Sequence, residues 1–401
     1  MARVFENDKC KINMINLLLV GDGRSIFFVE YVKALKKVMD VEVFVYCPFP
    51  KNDWYNEYPY DHVYFDNGIN SSISRLPVIG YQARPWIFHH NFLRYLKKSN
   101  TKFDIIHFHW LLPSWIINPS LYRKYTRRIG VSFWGGEMET AKILNSHKLY
   151  LKMLNSLMTE ADFGIGSTAS TNPAVYEIYP QLKGKCNFGI YGSSVVGLFD
   201  DDIKLDDARF EIPNNKVRIQ LGYSGKEIHQ HIKILDCILR HPQFECNKSK
   251  IHFIAPMTRG ATEDYLNAVE DKLSESGCSY TLIKNCYLTD EEVAYLRKNT
   301  DITLQFTKFD EISTSIVEAL SAGSLMIAGD WYPNYTVLEE YGFKWISAKS
   351  IKDGIDVMFE SIESIPEYND MLNHNKAVGQ AKFSWNECIK NWSSAYRKFL
   401  G

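Results

Sequence analysis

At 401 residues the chain exceeds the length at which one hydrophobic core keeps growing, so two domains are expected. Its 45% hydrophobic and 14% aromatic content belongs to a globular protein with a large buried core, and no apolar run approaches the roughly 20 residues that span a bilayer. The formal net charge is −1 and the eight cysteines form no CxxC pair, which excludes the common zinc and thiol-redox motifs and fits reduced thiols in the cytosol.

The first apolar run, INLLLV (15–20), ends in Gly-Asp and reads as a strand. The residues around it lack the charged start, apolar middle and cleavage site of a signal peptide. SIFFVEYVKALKKVM (25–39) has helical spacing, and VEVFVY (41–46), DIIHFHW (104–110), GVSFW (130–134), ADFGIGST (161–168) and CNFGIYG (186–192) continue the strands. The stretch 197–216 is acidic and turn-rich, with a linker expected at 201–216. Alternation then restarts with VRIQLGYSG (217–225) and the helical HQHIKILDCILRH. KIHFIAPM (250–257) is a strand, and TEDYLNAVEDKLSESG (262–277) is a helix closed by Gly277. SYTLIKNCYL (279–288) precedes a helix that Thr289 and Glu292 open with a capping box. ITLQFT (302–307) and SLMIAGD (324–330) complete the strands. This order predicts an α/β protein of two doubly wound, Rossmann-like domains facing across a cleft. The domains would span 1–200 and 217–382, with 383–401 as a terminal helix crossing back, and ligands would sit at the carboxyl ends of the strands.

Charge is unevenly placed. Between Ser71 and Gly130 ten Lys and Arg face one acid, Asp104, with aromatics interleaved as in RPWIFHHNFLRYLKK. This is either a solvated basic face or, over 75–128, a surface for anionic lipid or a phosphate-bearing acceptor. No nucleic-acid module accompanies it, so nucleic acid is not an expected partner.

The stretch FDEISTSIVEALSAG (309–323) concentrates the chemistry. Ser315 and Glu318 fit a capping box. The same helix start, with small residues at Ser313, Thr314 and Ser315, could instead hold a diphosphate on backbone amides, with Asp310 before the turn and Glu318 one turn in.

The spacing from Asp310 to Glu318, followed by Ala319, Leu320 and Ala322-Gly323, resembles the E-x7-E signature of retaining GT-B glycosyltransferases, family four in particular. The resemblance implies GT-B architecture, with an acceptor-side first domain and a donor-binding second one. It gives Asp310 the donor sugar, Ser313–Ser315 the diphosphate and Glu318 the ribose. Asp stands where the family has Glu, and Ser-Thr-Ser where glycines and apolar residues are common. GDGRS (21–25) resembles the family's glycine loop, placing Gly21, Asp22 and Arg24 on the acceptor side and Gly23 beside the donor. FDIIHFHW resembles the family's histidine strand and makes His109 a catalytic candidate. In SFWGGEME, Trp134 replaces the family's usual histidine, Gly135 follows on the acceptor side, and Glu137 becomes an alternative carboxylate. In LGYSGKEIHQHIK, the resemblance assigns the donor phosphates to Ser224, Gly225, Lys226 and His231. The family's usual Arg is missing there, which looks more like the offshoot with bacterial 4-acetamido-4,6-dideoxygalactose transferases. Tyr287 and Leu288 fall where relatives hold the base.

The expected activity is therefore transfer of a sugar from a nucleotide-diphosphate donor to a glycan or lipid-linked acceptor, with retention, in bacterial-type surface polysaccharide or glycoconjugate synthesis. The expected location is the cytoplasm, at the inner face of the membrane. The donor is substrate, and neither cofactor nor metal is expected. The alternatives are a UDP-sugar epimerase of the same fold and a non-catalytic nucleotide-sugar-binding subunit.

Overall fold

The structure is a computed structural model that describes residues 14–51, 57–67, 79–109, 118–133, 148–166, 176–177, 179–308, 313–331 and 335–401. The chain divides into two compact units. One runs to Gly189 and includes Ile389–Gly401; the other is Ile190–Cys388.

In the first unit, strands β1 (Ile15–Val20), β2 (Val41–Cys47), β3 (His62–Phe65), β4 (Phe103–His109), β5 (Thr126–Ser132), β6 (Phe163–Gly166) and β7 (Cys186–Phe188) form one sheet. Its order is β3-β2-β1-β4-β5-β6-β7, and all pairings are parallel. Helices α1 (Ile26–Val38), α2 (Ile79–Ser99) and α3 (Lys148–Glu160) belong to the same unit. Leu17–Val20 are wholly buried, which is why β1 reads as an unbroken apolar run: a central parallel strand is covered on both faces. A buried polar chain also crosses this core. Ser132 Oγ lies 2.7 Å from His107 Nε2, Tyr396 OH is 2.6 Å from His107 Nδ1, and Tyr396 OH meets Tyr31 OH at 2.5 Å.

The second unit contains β8 (Val217–Leu221), β9 (Ile251–Met257), β10 (Ser279–Lys284), β11 (Ile302–Gln305), β12 (Leu325–Gly329) and β13 (Ile346–Ala348). Their order is β10-β9-β8-β11-β12-β13, again parallel. Around them lie α4 (His231–Leu239), α5 (Glu263–Glu275), α6 (Asp290–Lys298), α7 (Thr314–Ala322), α8 (Ile351–Ser361) and α9 (Asn369–Lys382). The last helix, α10 (Trp385–Leu400), starts in this unit, and its residues from Ile389 belong to the first. The core joins strand residues such as Ile219, Phe253, Leu304 and Ile327 to helix residues such as Ile234, Leu266 and Ile355.

The capping box expected at Thr289 and Glu292 is present in both directions. The expected linker 201–216 instead packs within the second unit. Phe210 and Ile212 are buried there against Ile254, Ile283 and Leu296, so an acidic, turn-rich composition hides two apolar anchors. Among the described residues no helix is long and apolar enough to cross a membrane.

Candidate functional site

Both sheets reverse strand order once, between β1 and β4 and between β8 and β11. In open α/β sheets the carboxyl ends of such strands leave a crevice where ligands bind. In the second unit, β8 is followed by Gly222, whose φ of +59° suits glycine and whose added Cβ would stand 3.0 Å from that of His229. The turn that follows carries Ser224 to His231. Its Ile228 carbonyl accepts the Lys308 N–H at 3.0 Å, and Gln230 Nε2 donates to the Phe306 carbonyl at 2.5 Å. These two bonds tie the β8 turn to the loop leaving β11, so two stretches far apart in sequence share one rim.

That second loop leads to α7. Ser313 is its N-cap, with its hydroxyl accepting the Ser315 N–H at 3.2 Å. Thr314 and Ser315 therefore occupy the first turn, the position at which a helix presents N–H groups to an anion. The capping box expected of Ser315 and Glu318 does not form, because Ser313 takes the cap position. Glu318 turns inward: its Oε1 accepts the Ser193 hydroxyl at 2.9 Å and its Oε2 is 3.5 Å from Arg297 Nη2. Arg297 Nη1 in turn donates to Gln220 Oε1 at 2.7 Å, and Gln220 Nε2 donates to the Gly222 carbonyl at 2.6 Å. A buried relay thus runs from the helix to the β8 turn. Burial pushes the Glu318 carboxyl above its ordinary value, against the pull of Arg297 and Ser193. Asp310 lies outside the described residues.

The rim is cationic. Lys226, Arg259 and Lys308 are exposed and make no ion pair among the described residues; Glu227 is the acid of the same turn. Arg259 was not singled out from the sequence. It follows β9 as Lys226 follows β8, and only the parallel register places the two turns side by side, with the Gly225 N–H donating to the Arg259 carbonyl at 2.9 Å. The same packing bears on Gly225. A Cβ there would stand 2.7 Å from the Ala261 Cβ, so the glycine is required by its own protein neighbour, before any ligand.

Ser224 and His231, expected on the phosphates, are buried. Ser224 Oγ is 2.9 Å from His229 Nε2, and His231 Nδ1 is 3.2 Å from Tyr265 OH. Burial pulls His229 down to about 3 and His231 to about 4, so both are neutral near pH 7. His229 Nδ1, in the turn after β8, and Gln305 Nε2, at the end of β11, are buried with no hydrogen-bond partner among the described residues, an uncommon cost. Tyr287 projects into solvent, 63% exposed, whereas Leu288 packs against the satellite cluster around Phe210.

In the first unit, Gly21, Asp22, Gly23 and Arg24 follow β1. Asp22 grips its own neighbour: Arg24 Nε donates to Oδ1 at 2.7 Å and Nη2 to Oδ2 at 3.0 Å, with the guanidinium 4.5 Å over the Phe49 ring. A Cβ at Gly23 would meet Val45 Cγ1 at 2.7 Å, again a packing requirement. His109 is fully buried, 5.0 Å from Phe28 and 5.9 Å from Trp392 between ring centres, and burial holds it well below its ordinary value. The structure places it in the aromatic core instead of at a surface. Trp134, Gly135 and Glu137 lie outside the described residues.

Parts of the basic segment are also engaged. Arg123 pairs with Asp162 at 2.6 Å and with Glu160 at 3.2 Å, Arg127 pairs with Asp104 at 3.3 Å, and Arg128 Nε donates to the Phe399 carbonyl at 2.6 Å.

A scan against protein-family models and a search of curated proteins find no match. Solved structures do match over nearly the whole chain. A sucrose-phosphate synthase from Thermosynechococcus elongatus has a TM-score of 0.71 at 13% identity, covering 96% of this chain and 99% of its own. A UDP-forming α,α-trehalose-phosphate synthase from Burkholderia xenovorans gives 0.68 at 12%, covering 97% and 100%. HepE from Anabaena, solved with UDP and glucose, gives 0.66 at 13%, covering 96% and 100%.

The fold is GT-B. In this GT-B chain the β8 turn and the turn after β9 expose Lys226 and Arg259, whereas Ser224, His231 and Glu318 are buried.

Proposed function

We propose that the chain is a glycosyltransferase that moves a sugar from a nucleoside-diphosphate donor to a glycan or lipid-linked acceptor. The observation that carries this is the pair of hydrogen bonds joining the Lys226 turn to the loop before α7. They hold Lys308 against the turn that carries Lys226, and with Arg259 this gives three exposed cations that are unpaired among the described residues, a cluster suited to a diphosphate. The structural likeness supports it, since similar chains include a UDP-forming synthase and a protein solved with UDP and glucose.

In this proposal Lys226 and Arg259 hold the diphosphate, with the Thr314 amide beside them and the Ser315 amide joining when it exchanges the Ser313 hydroxyl for a phosphate oxygen. The bond from the anomeric carbon to the phosphate oxygen breaks as the bond to the acceptor oxygen forms. The acceptor proton passes to the departing phosphate, and the cations and amides stabilise the charge that develops there. Retention follows when both events occur on one face of the sugar. Asp310, first acid of the E-x7-E pattern, contacts the donor sugar. Glu318 reaches ribose by exchanging the Ser193 hydroxyl for one of the ribose hydroxyls, and Tyr287 lies against the base. Gly21 to Arg24 border the acceptor, with Glu137 as a further carboxylate. Neither cofactor nor metal enters this scheme. Assignment to family four, to surface polysaccharide or glycoconjugate synthesis, and to the membrane face belongs to the same proposal.

Donor turnover with and without an acceptor panel tests it. Nucleotide release that needs an acceptor supports transfer. Acceptor-independent conversion of the sugar would make the protein an epimerase, and binding without turnover a non-catalytic subunit.

A further inference from the structure

Strand β3 is the edge of the first sheet, and with the second half of α2 it borders a groove of about 650 Å³. Arg94 and Lys98 line it, one helical turn apart and so on one face. Neither makes an ion pair or hydrogen bond among the described residues, and α2 has no acid in its sequence to offer them. The acid in the groove wall, Asp66, is nearly buried and already accepts from Tyr46 OH and from Asn91 Nδ2. His62, at the lower end, is engaged by Glu42 at 2.9 Å. The groove therefore keeps two cations that no acid pairs directly among the described residues.

Its remaining wall is aromatic. Tyr64 is 43% exposed, braced from behind by Tyr46, with ring centres 5.5 Å apart, and from the side by Tyr95 at 5.3 Å. A flat ring with a polar tip, amide groups and a guanidinium fork together match a ring-shaped ligand that carries hydroxyls and one anionic group. A bilayer surface fits less well, because the site is concave and two cations supply only about 2 kcal/mol of attraction to anionic lipid.

We propose that this groove binds an acidic saccharide, with its carboxylate or phosphate substituent held by Arg94 and Lys98 and a sugar ring lying on Tyr64. This goes beyond the transferase reading and uses no residue of the second unit, so it stands or falls separately.

Calorimetric titration of the full chain with trigalacturonate, maltotriose and inorganic phosphate tests it. Trigalacturonate should bind, maltotriose and phosphate far more weakly, and Arg94→Gln and Lys98→Gln should each weaken trigalacturonate about tenfold. Tyr64→Ala should weaken it as well. All three side chains are exposed, so unchanged melting temperatures serve as the folding control. Absence of trigalacturonate binding, equal binding of maltotriose, or indifference to these substitutions would overturn the proposal. So would binding to phosphatidylglycerol vesicles that depends on Arg94 and Lys98 without any saccharide binding.

Discussion

Glu318 accepts the hydroxyl of Ser193 at 2.9 Å across 125 positions of sequence, and this bond ends a relay through Arg297 and Gln220 to the carbonyl of Gly222. The carboxylate is thus part of the scaffold of the β8 turn before any ligand arrives. Removing it strands a buried guanidinium, which stays charged in proteins. Glu318→Ala should therefore cost about 3 kcal/mol, and pairing Glu318→Leu with Arg297→Met should recover most of that loss. Denaturant unfolding of the full chain reads both; a Glu318→Ala protein as stable as the parent would remove the relay from the scaffold.

Lys226 and Arg259 are exposed and make no ion pair among the described residues, so replacing them should spare the fold. Each alanine variant should weaken nucleotide binding about tenfold, through loss of a charge-assisted contact, and the loss should shrink at raised salt. Titrations at two ionic strengths check this. Unchanged affinity in both variants would move the phosphate site elsewhere.

Gly225 distinguishes packing from ligand approach. Because its absent Cβ would stand 2.7 Å from that of Ala261, Gly225→Ala should destabilise the chain by about 1–3 kcal/mol with no nucleotide present. A variant that melts normally but loses nucleotide would restore the ligand explanation.

Stability should fall in acid through buried histidines. His107 and His229 are held down to about 3 and His231 to about 4, against an unfolded value of about 6.5. Between those limits the unfolded chain binds more protons, so stability rises with pH. The contribution is complete above about 6.5 and is lost as pH drops toward 3 to 4, by up to about 1.4 kcal/mol per pH unit for each imidazole. Melting temperatures from pH 7 to 4 should show this slope, and His229→Gln should reduce it.

Within the first unit, Tyr396 of α10 bonds to Tyr31 and His107. Tyr396→Phe leaves both partners buried and one of them unsatisfied, so about 1–3 kcal/mol of stability should be lost. A melting curve that does not move would show the chain of hydroxyls to be dispensable.

The fold was legible because central parallel strands are apolar throughout: INLLLV gives β1 to the residue, and the Thr289 box marks its helix correctly. β3 escaped notice because an edge strand of four largely exposed residues has no burial pattern. So did α2, whose Pro85 and crowded aromatics blur helical spacing. At the site, local motifs could place Lys226 and Ser313 but not join them. The joining bonds, Lys308 to Ile228 and Gln230 to Phe306, depend on strand order, as does the presence of Arg259 beside Lys226. Glu318 misled in the other direction: S-x-x-E spacing fits a capping box, yet Ser313 holds the cap and burial draws the carboxylate to Arg297.

The most direct test of the central claim is a thermal-shift titration of the full chain with UDP, GDP and TDP. One of the three should raise the melting temperature in a saturable way, with about 2.7 kcal/mol of added stability at a hundredfold excess over its Kd, and the combined Lys226→Ala and Arg259→Ala variant should lose that shift. If none of the three nucleotides moves the transition, the second unit is not a nucleotide-sugar site and the proposed function is wrong.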